Sequence, residues 1–191
     1  VHAIVMKATC VIVLNVAAFI LSPGAACAST VLSKKDAGLV VEKFCGKTIQ
    51  EKLTTDRAGS NNLADPAGQP EVYRQVVTEG LADLYGRAVV RSAAVQAATG
   101  NKPVMGNDVW KGVQDAVSGC RLGSISGTRN RPEVTIRYVL VGETKPSVTD
   151  TLVLKNESGE WRVDDIRYGR GTYRLRSALE RAISEPISNQ R

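Results

Sequence analysis

EVTIRYVLVGETKPSVTDTLVLKNESGEWRVDDIRY, residues 133–168, is built of three apolar-alternating runs separated by turn-rich breaks. Val134, Ile136, Tyr138 and Leu140 alternate with Thr135 and Arg137, and Val148, Asp150, Leu152 and Leu154 alternate with Thr149 and Thr151. Successive side chains of a strand point to opposite faces, so a period of two marks strands with one buried face. The breaks at Gly142–Pro146 and Asn156–Gly159 are too short for a crossover helix, which leaves an antiparallel meander. In the last run the alternation slips between Val163 and Ile166. A bulge at Asp164-Asp165 restores one shared face for Trp161, Val163, Ile166 and Tyr168. Upstream, Cys120–Thr128 supplies a fourth strand across the Asn130-Arg131-Pro132 turn, so the sheet is predicted over about 120–168.

On the amino-terminal side the period becomes that of a helix. Ser33-Lys34-Lys35-Asp36 has the form of an N-cap followed by an acid three residues on. Ala37, Val41, Phe44, Thr48 and Leu53 then recur at helical spacing, with Val40, Cys45 and Ile49 widening the stripe. That predicts a helix over 34–55 with Cys45 on its buried side. Residues 57–70, RAGSNNLADPAGQP, are loop by turn chemistry. Pro70 opens a second helical segment carried by Val72, Val76, Leu81, Leu84, Ala88 and Val89, with Gly80 and Gly86 as places for a kink. Val109, Val113 and Val117 predict a shorter helix over 108–117, with Trp110 beside the stripe. Leu175, Ala178, Leu179 and Ala182 predict a closing helix over 173–184, stopped by Pro186. The expected fold class is therefore α+β: amino-terminal helices packed on a curved antiparallel sheet of about four strands, with a carboxy-terminal helix.

Residues 1–28 have the grammar of a signal peptide. Lys7 is the positive end, Cys10 to Leu21 the apolar run, Ser22-Pro23-Gly24 the breaker, and Ala26-Cys27-Ala28 the small-x-small cleavage site. The run is too short for a transmembrane helix. Cleavage after Ala28 leaves residues 29–191 as a single α+β domain without a transmembrane segment, periplasmic or secreted. A Val at position 1, as a literally translated GTG start would leave, points to a bacterial source. Lipid attachment at Cys27 is the alternative, against which Gly24 stands where a Leu-like residue is wanted. Processing removes Cys10, Cys27 and His2, the sole histidine. Cys45 and Cys120 remain, and in an oxidising compartment one disulfide between them is the economical outcome. It would close a loop of about 75 residues, worth roughly 4 kcal/mol by chain entropy.

The composition excludes more chemistry than it offers. Without histidine, Ser-His-Asp and Cys-His machinery and any His-bearing zinc site are ruled out for the processed chain. Two distant cysteines do not make a structural zinc site, and no phosphate-binding glycine motif is present; no metal or cofactor is expected. Asp164 and Asp165 are the acid/base candidates, since paired carboxylates raise one another's pKa. Arg162 and Arg167 flank them, and surface ion pairs are the plainer reading. The second candidate is a basic, tyrosine-interleaved face at Arg167, Arg170, Tyr173 and Arg174, fitted to anions. A solvated helix face is its plainer reading. The net charge of +6 is modest, and a secretion signal argues against nucleic acid as the partner.

The stretch GEWRVDDIRYGRGTYRLRSAL places a Trp at the entry to the last strand, Asp-Asp-Ile at its end, and a short helix with spaced leucines behind it. Over roughly Gly119 to Ile183 this resembles a domain family of bacterial secreted proteins and lipoproteins with a nuclear transport factor two-like (cystatin-like) fold. The resemblance implies helices packed across a strongly curved sheet. Enzymes of that fold place His, Asp or Tyr inside the cone, and histidine is missing here. The functional expectation is a non-catalytic module binding another envelope or secreted protein, as an immunity or inhibitor protein does. The alternative is a pocket for a small apolar ligand, or a histidine-free enzyme using Asp164 or Asp165. A cavity lined by Tyr138, Trp161 and an inward carboxylate would favour the alternative, and a packed core with both aspartates in solvent the binding module.

Overall fold

A computed structural model describes residues 31–57, 66–100, 105 and 108–187. The predicted signal peptide, its cleavage site, Cys27 and the middle of the 57–70 loop lie outside the described residues. The fold is α+β. Helices α1 (Lys34–Cys45), α2 (Glu51–Arg57), α3 (Pro70–Tyr73) and α4 (Glu79–Thr99) precede strands β1 (Val117–Thr128), β2 (Arg131–Leu140), β3 (Val148–Glu157) and β4 (Glu160–Arg167). Helix α5 (Leu175–Ser184) closes the order. The four strands pair antiparallel in sequence order, β1-β2-β3-β4.

Ser33 starts α1 through a full capping box with Asp36. The predicted single helix over 34–55 is continuous but not uniform, because a π turn at Gly46–Gln50 joins α1 to α2. Thr48 Oγ1 donates to the Phe44 carbonyl at 2.6 Å, and the Glu51 amide reaches back to Gly46. Cys45 sits just before this turn and bonds to Cys120 on β1, with Cα atoms 6.1 Å apart. The expected disulfide thus ties the first helix to the first strand.

Two helical expectations are corrected. The second helical segment breaks at Arg74–Thr78, not at Gly80 or Gly86, which lie inside α4. Val76–Thr78 is drawn into pairing with β4: Thr78 N donates to Val163 O at 2.9 Å, and Val163 N to Val76 O at 3.0 Å. No helix forms over 108–116. There the backbone polar groups are served by the sheet, since Gly112 N donates to Asp150 and Val109 O accepts from the Tyr168 hydroxyl.

The core lies between the helices and the inner face of the sheet. Val134, Ile136, Tyr138, Leu152, Leu154, Val163 and Ile166 come from the strands, and Phe44, Leu81, Leu84, Leu175 and Leu179 from the helices. Each large apolar side chain buried there contributes about 1.5–3 kcal/mol. Trp110 is buried in an aromatic cluster, its ring 4.9 Å from Tyr85 and 5.8 Å from Tyr73. The outer edge of β4 is met mid-strand at Val163 by Val77 and at its end at Arg167 by Arg174, which caps part of its ladder.

Candidate anion-binding face

The expected bulge is present in β4. Val153 pairs with Asp165 and Leu154 with Val163, which leaves Asp164 as the inserted residue. Insertion overrides strict alternation, so both carboxylates reach Arg176 instead of pointing apart. Asp164 accepts from Arg176 Nη2 at 2.6 Å and from Thr78 Oγ1 at 3.0 Å, and faces Arg131 at 3.5 Å. Asp165 is buried; its Oδ1 accepts from the amides of Ile166 (2.9 Å) and Arg176 (3.0 Å), and its Oδ2 from Arg174 Nη1 at 3.3 Å. Arg176 lies in the first turn of α5, so Asp165 serves the unpaired amides and positive end of that helix. Both aspartates are thus engaged in holding β4, α4 and α5 together.

A third carboxylate, Asp150, is buried on the inner side of β3. It accepts from Gly112 N and Gly169 N, each at 2.7 Å, and so clips two loops onto the sheet. Tyr138 and Tyr168 lie near it. Burial, then the negative charge of Asp150, raises the pKa of both phenols. The Tyr168 hydroxyl donates to Val109 O at 2.6 Å, whereas the Tyr138 hydroxyl has no partner in hydrogen-bond geometry. Tyr138 is packed into the core with no exposure, and Trp161 instead lines a surface notch with Leu39, Val40 and Lys43. Those two residues therefore do not share a cavity. Among the described residues no group of three or more His, Cys, Asp or Glu side chains is placed to hold a metal.

The outer face of the sheet carries the other candidate. Residues directly opposite across antiparallel strands share a face. One row runs Thr135, Thr151, Arg167 and then Arg174 across the bridge beyond β4. The next runs Arg121, Arg137 and Thr149. Between these rows and the Gly169–Thr172 turn lies a trough of about 430 Å³, lined by Thr135, Thr149, Thr151, Arg167, Arg170 and Arg174 among others. Arg167 makes a two-pronged pair with Glu133, at 3.2 and 2.8 Å, and Arg174 leans on Asp165. Among the described residues Arg121, Arg137 and Arg170 have no carboxylate partner, although Arg121 and Arg137 stand directly opposite one another.

Of the residues singled out in the sequence, Arg167, Arg170 and Arg174 are brought together in this trough. Tyr173 is not among them. Its half-exposed ring lies 5.6 Å from Tyr168, with the Arg181 guanidinium 5.3 Å from its centroid, and it lines a neighbouring cleft with Asp108 and Tyr168. Sequence reasoning missed the threonine floor and the Arg121–Arg137 pair, though the outward positions of the alternating runs held the signal. No protein-family model matches the chain, and comparison with curated proteins and with solved structures returns no match.

Proposed function

We propose that this protein is a non-catalytic binding module acting outside the cytoplasm, in the periplasm or after secretion, which engages an anionic patch on another envelope or secreted protein. The observation that carries the reading is the contrast between its two candidate sites. Asp164, Asp165 and Asp150 are all engaged by backbone amides or arginines, so none of these three is left free for a substrate. The arginines of the outer face exceed their carboxylate partners, and a like-charged pair directly opposed across two strands costs stability unless an anion relieves it. The disulfide supports an oxidising compartment. No helix among the described residues is long and apolar enough to cross a membrane. Kinship with the nuclear transport factor two-like proteins belongs to the same proposal and rests on the GEWRVDDIRYGRGTYRLRSAL stretch alone.

The test is affinity capture from the native envelope using the wild-type protein and an Arg121→Glu/Arg137→Glu/Arg170→Glu variant side by side. A partner retained by wild type and lost by the variant supports the reading. A partner held equally by both, or no partner together with stabilisation by an apolar small molecule, overturns it.

A further inference from the structure

We propose that the trough between the threonine floor and the Gly169–Thr172 turn is a binding site for a phosphoryl group, taken as free phosphate or at the end of a small phosphorylated ligand. The proposal rests on the outer face being the binding surface and adds the chemistry of the group recognised.

The donor inventory is the first argument. Arg167 spends Nη1 and Nη2 bonds on Glu133, and Arg174 spends one on Asp165. A guanidinium carries five N–H groups, so both retain donors. Arg170 spends none, and the hydroxyls of Thr149 and Thr172 make no bond to other described residues. The carboxylates that meet the trough arginines, Glu133 and Asp165, are already taken up by them. Donors are therefore in excess on three sides of one concavity: the strand floor, the β4 wall and the turn that presents Arg170.

The second argument is the shape of the anion that satisfies such a set. A carboxylate offers two oxygens in one plane, a shape matched to a single arginine fork. A phosphoryl group offers three oxygens arranged around a tetrahedron, able to meet guanidinium donors from opposing walls and hydroxyls from below. Charge complementarity is the third argument. Arg121 and Arg137, one row along the sheet, extend the positive field without a carboxylate partner among the described residues. Apolar ligands find no aromatic or large aliphatic side chain in the lining.

The experiment is a titration of the purified protein, in phosphate-free buffer at constant ionic strength, with inorganic phosphate, glucose 6-phosphate and acetate in parallel. Binding is followed by NMR on the arginine Nε–Hε and backbone amide signals. Phosphate or the sugar phosphate is expected to shift the signals of Arg167, Arg170 and Arg174 with a dissociation constant on the order of 1 mM, at least tenfold tighter than acetate. Tighter binding of inorganic phosphate assigns the free ion, and tighter binding of glucose 6-phosphate assigns the ester. Arg170→Gln is expected to weaken the better ligand about tenfold, and Thr149→Val about threefold, with the melting temperature unchanged by the exposed Arg170→Gln. Acetate binding as well as phosphate, or unchanged phosphate affinity in Arg170→Gln, would overturn the proposal. Loss of partner capture in the triple glutamate variant without phosphate binding would overturn the phosphoryl assignment alone and leave the protein-binding reading intact.

Discussion

Tyr138 and Tyr168 differ in a single hydrogen bond, and the difference is measurable. The Tyr168 hydroxyl is held by Val109 O, while the Tyr138 hydroxyl is buried without a partner. Tyr168→Phe should cost about 1 kcal/mol in urea unfolding, and Tyr138→Phe should be neutral or stabilise by up to about 1 kcal/mol, because it deletes an unsatisfied polar group. Both phenols are raised by burial and by Asp150. A raised folded pKa means stability is fully present below the unfolded value of about 10 and declines as the pH rises above it, where only the unfolded chain ionises. The double Phe variant should therefore lose that alkaline slope. Asp165→Ala should cost about 3 kcal/mol by the same denaturation assay, since it strips α5 of its amide acceptor and Arg174 of its counter-charge. At this scale the sequence showed the bulge, because the slip in alternation between Val163 and Ile166 is local. It did not show what Asp150 does. A carboxylate at an inward strand position is only explained by Gly112 and Gly169, which lie 38 and 19 positions away.

The elements are joined by a few long-range ties. The Cys45–Cys120 disulfide spans 75 positions and joins α1 to β1. Reduction, or a Cys45→Ala/Cys120→Ala variant, should lower stability by roughly 4 kcal/mol, read as a drop in the urea midpoint with and without reductant. Helix starts are served by strands: Asp165 accepts from α5, and Glu157 accepts from Glu79 N at the start of α4 at 3.0 Å. Gly112 packs so closely that an added Cβ would lie 2.6 Å from Asp150 Oδ1 and 3.0 Å from Tyr168 Cβ. Gly112→Ala should thus cost about 1–3 kcal/mol in the same assay. This contact also explains why residues 108–116 form no helix despite their apolar spacing. Val109, Val113 and Val117 have helical spacing, but three residues in register specify little when the sheet supplies other partners for the backbone. Where the apolar stripe ran longer, as over 34–55, the helical reading was right in extent and missed only the π turn.

For the whole molecule, the surplus of arginine on the outer face is the feature that links the fold to the proposed function. Arg121→Glu should raise stability by a few tenths of a kcal/mol, since it replaces a like-charged cross-strand pair with an opposite one. If the proposed function holds, the same change should weaken binding of the proposed anionic partner, measured by titration at low and high salt. A residue whose loss stabilises the fold while harming binding is one retained for the partner. The sequence by itself determined the α+β class, the four-strand meander and the bulge, because periodicity and short turns are properties of the chain read locally. It pointed to Cys45–Cys120 only once Cys10 and Cys27 were set aside with the predicted signal peptide. The tertiary structure alone decided which polar residues are spent and which are left over. It placed Asp164 and Asp165 in ion pairs, set the Tyr173 ring against Arg181 outside the trough, and set Thr135, Thr149 and Thr151 beneath Arg167, Arg170 and Arg174. That division has one physical cause: a side chain's free valences depend on neighbours brought from distant positions by strand register, and register is fixed only when the sheet closes against its helices.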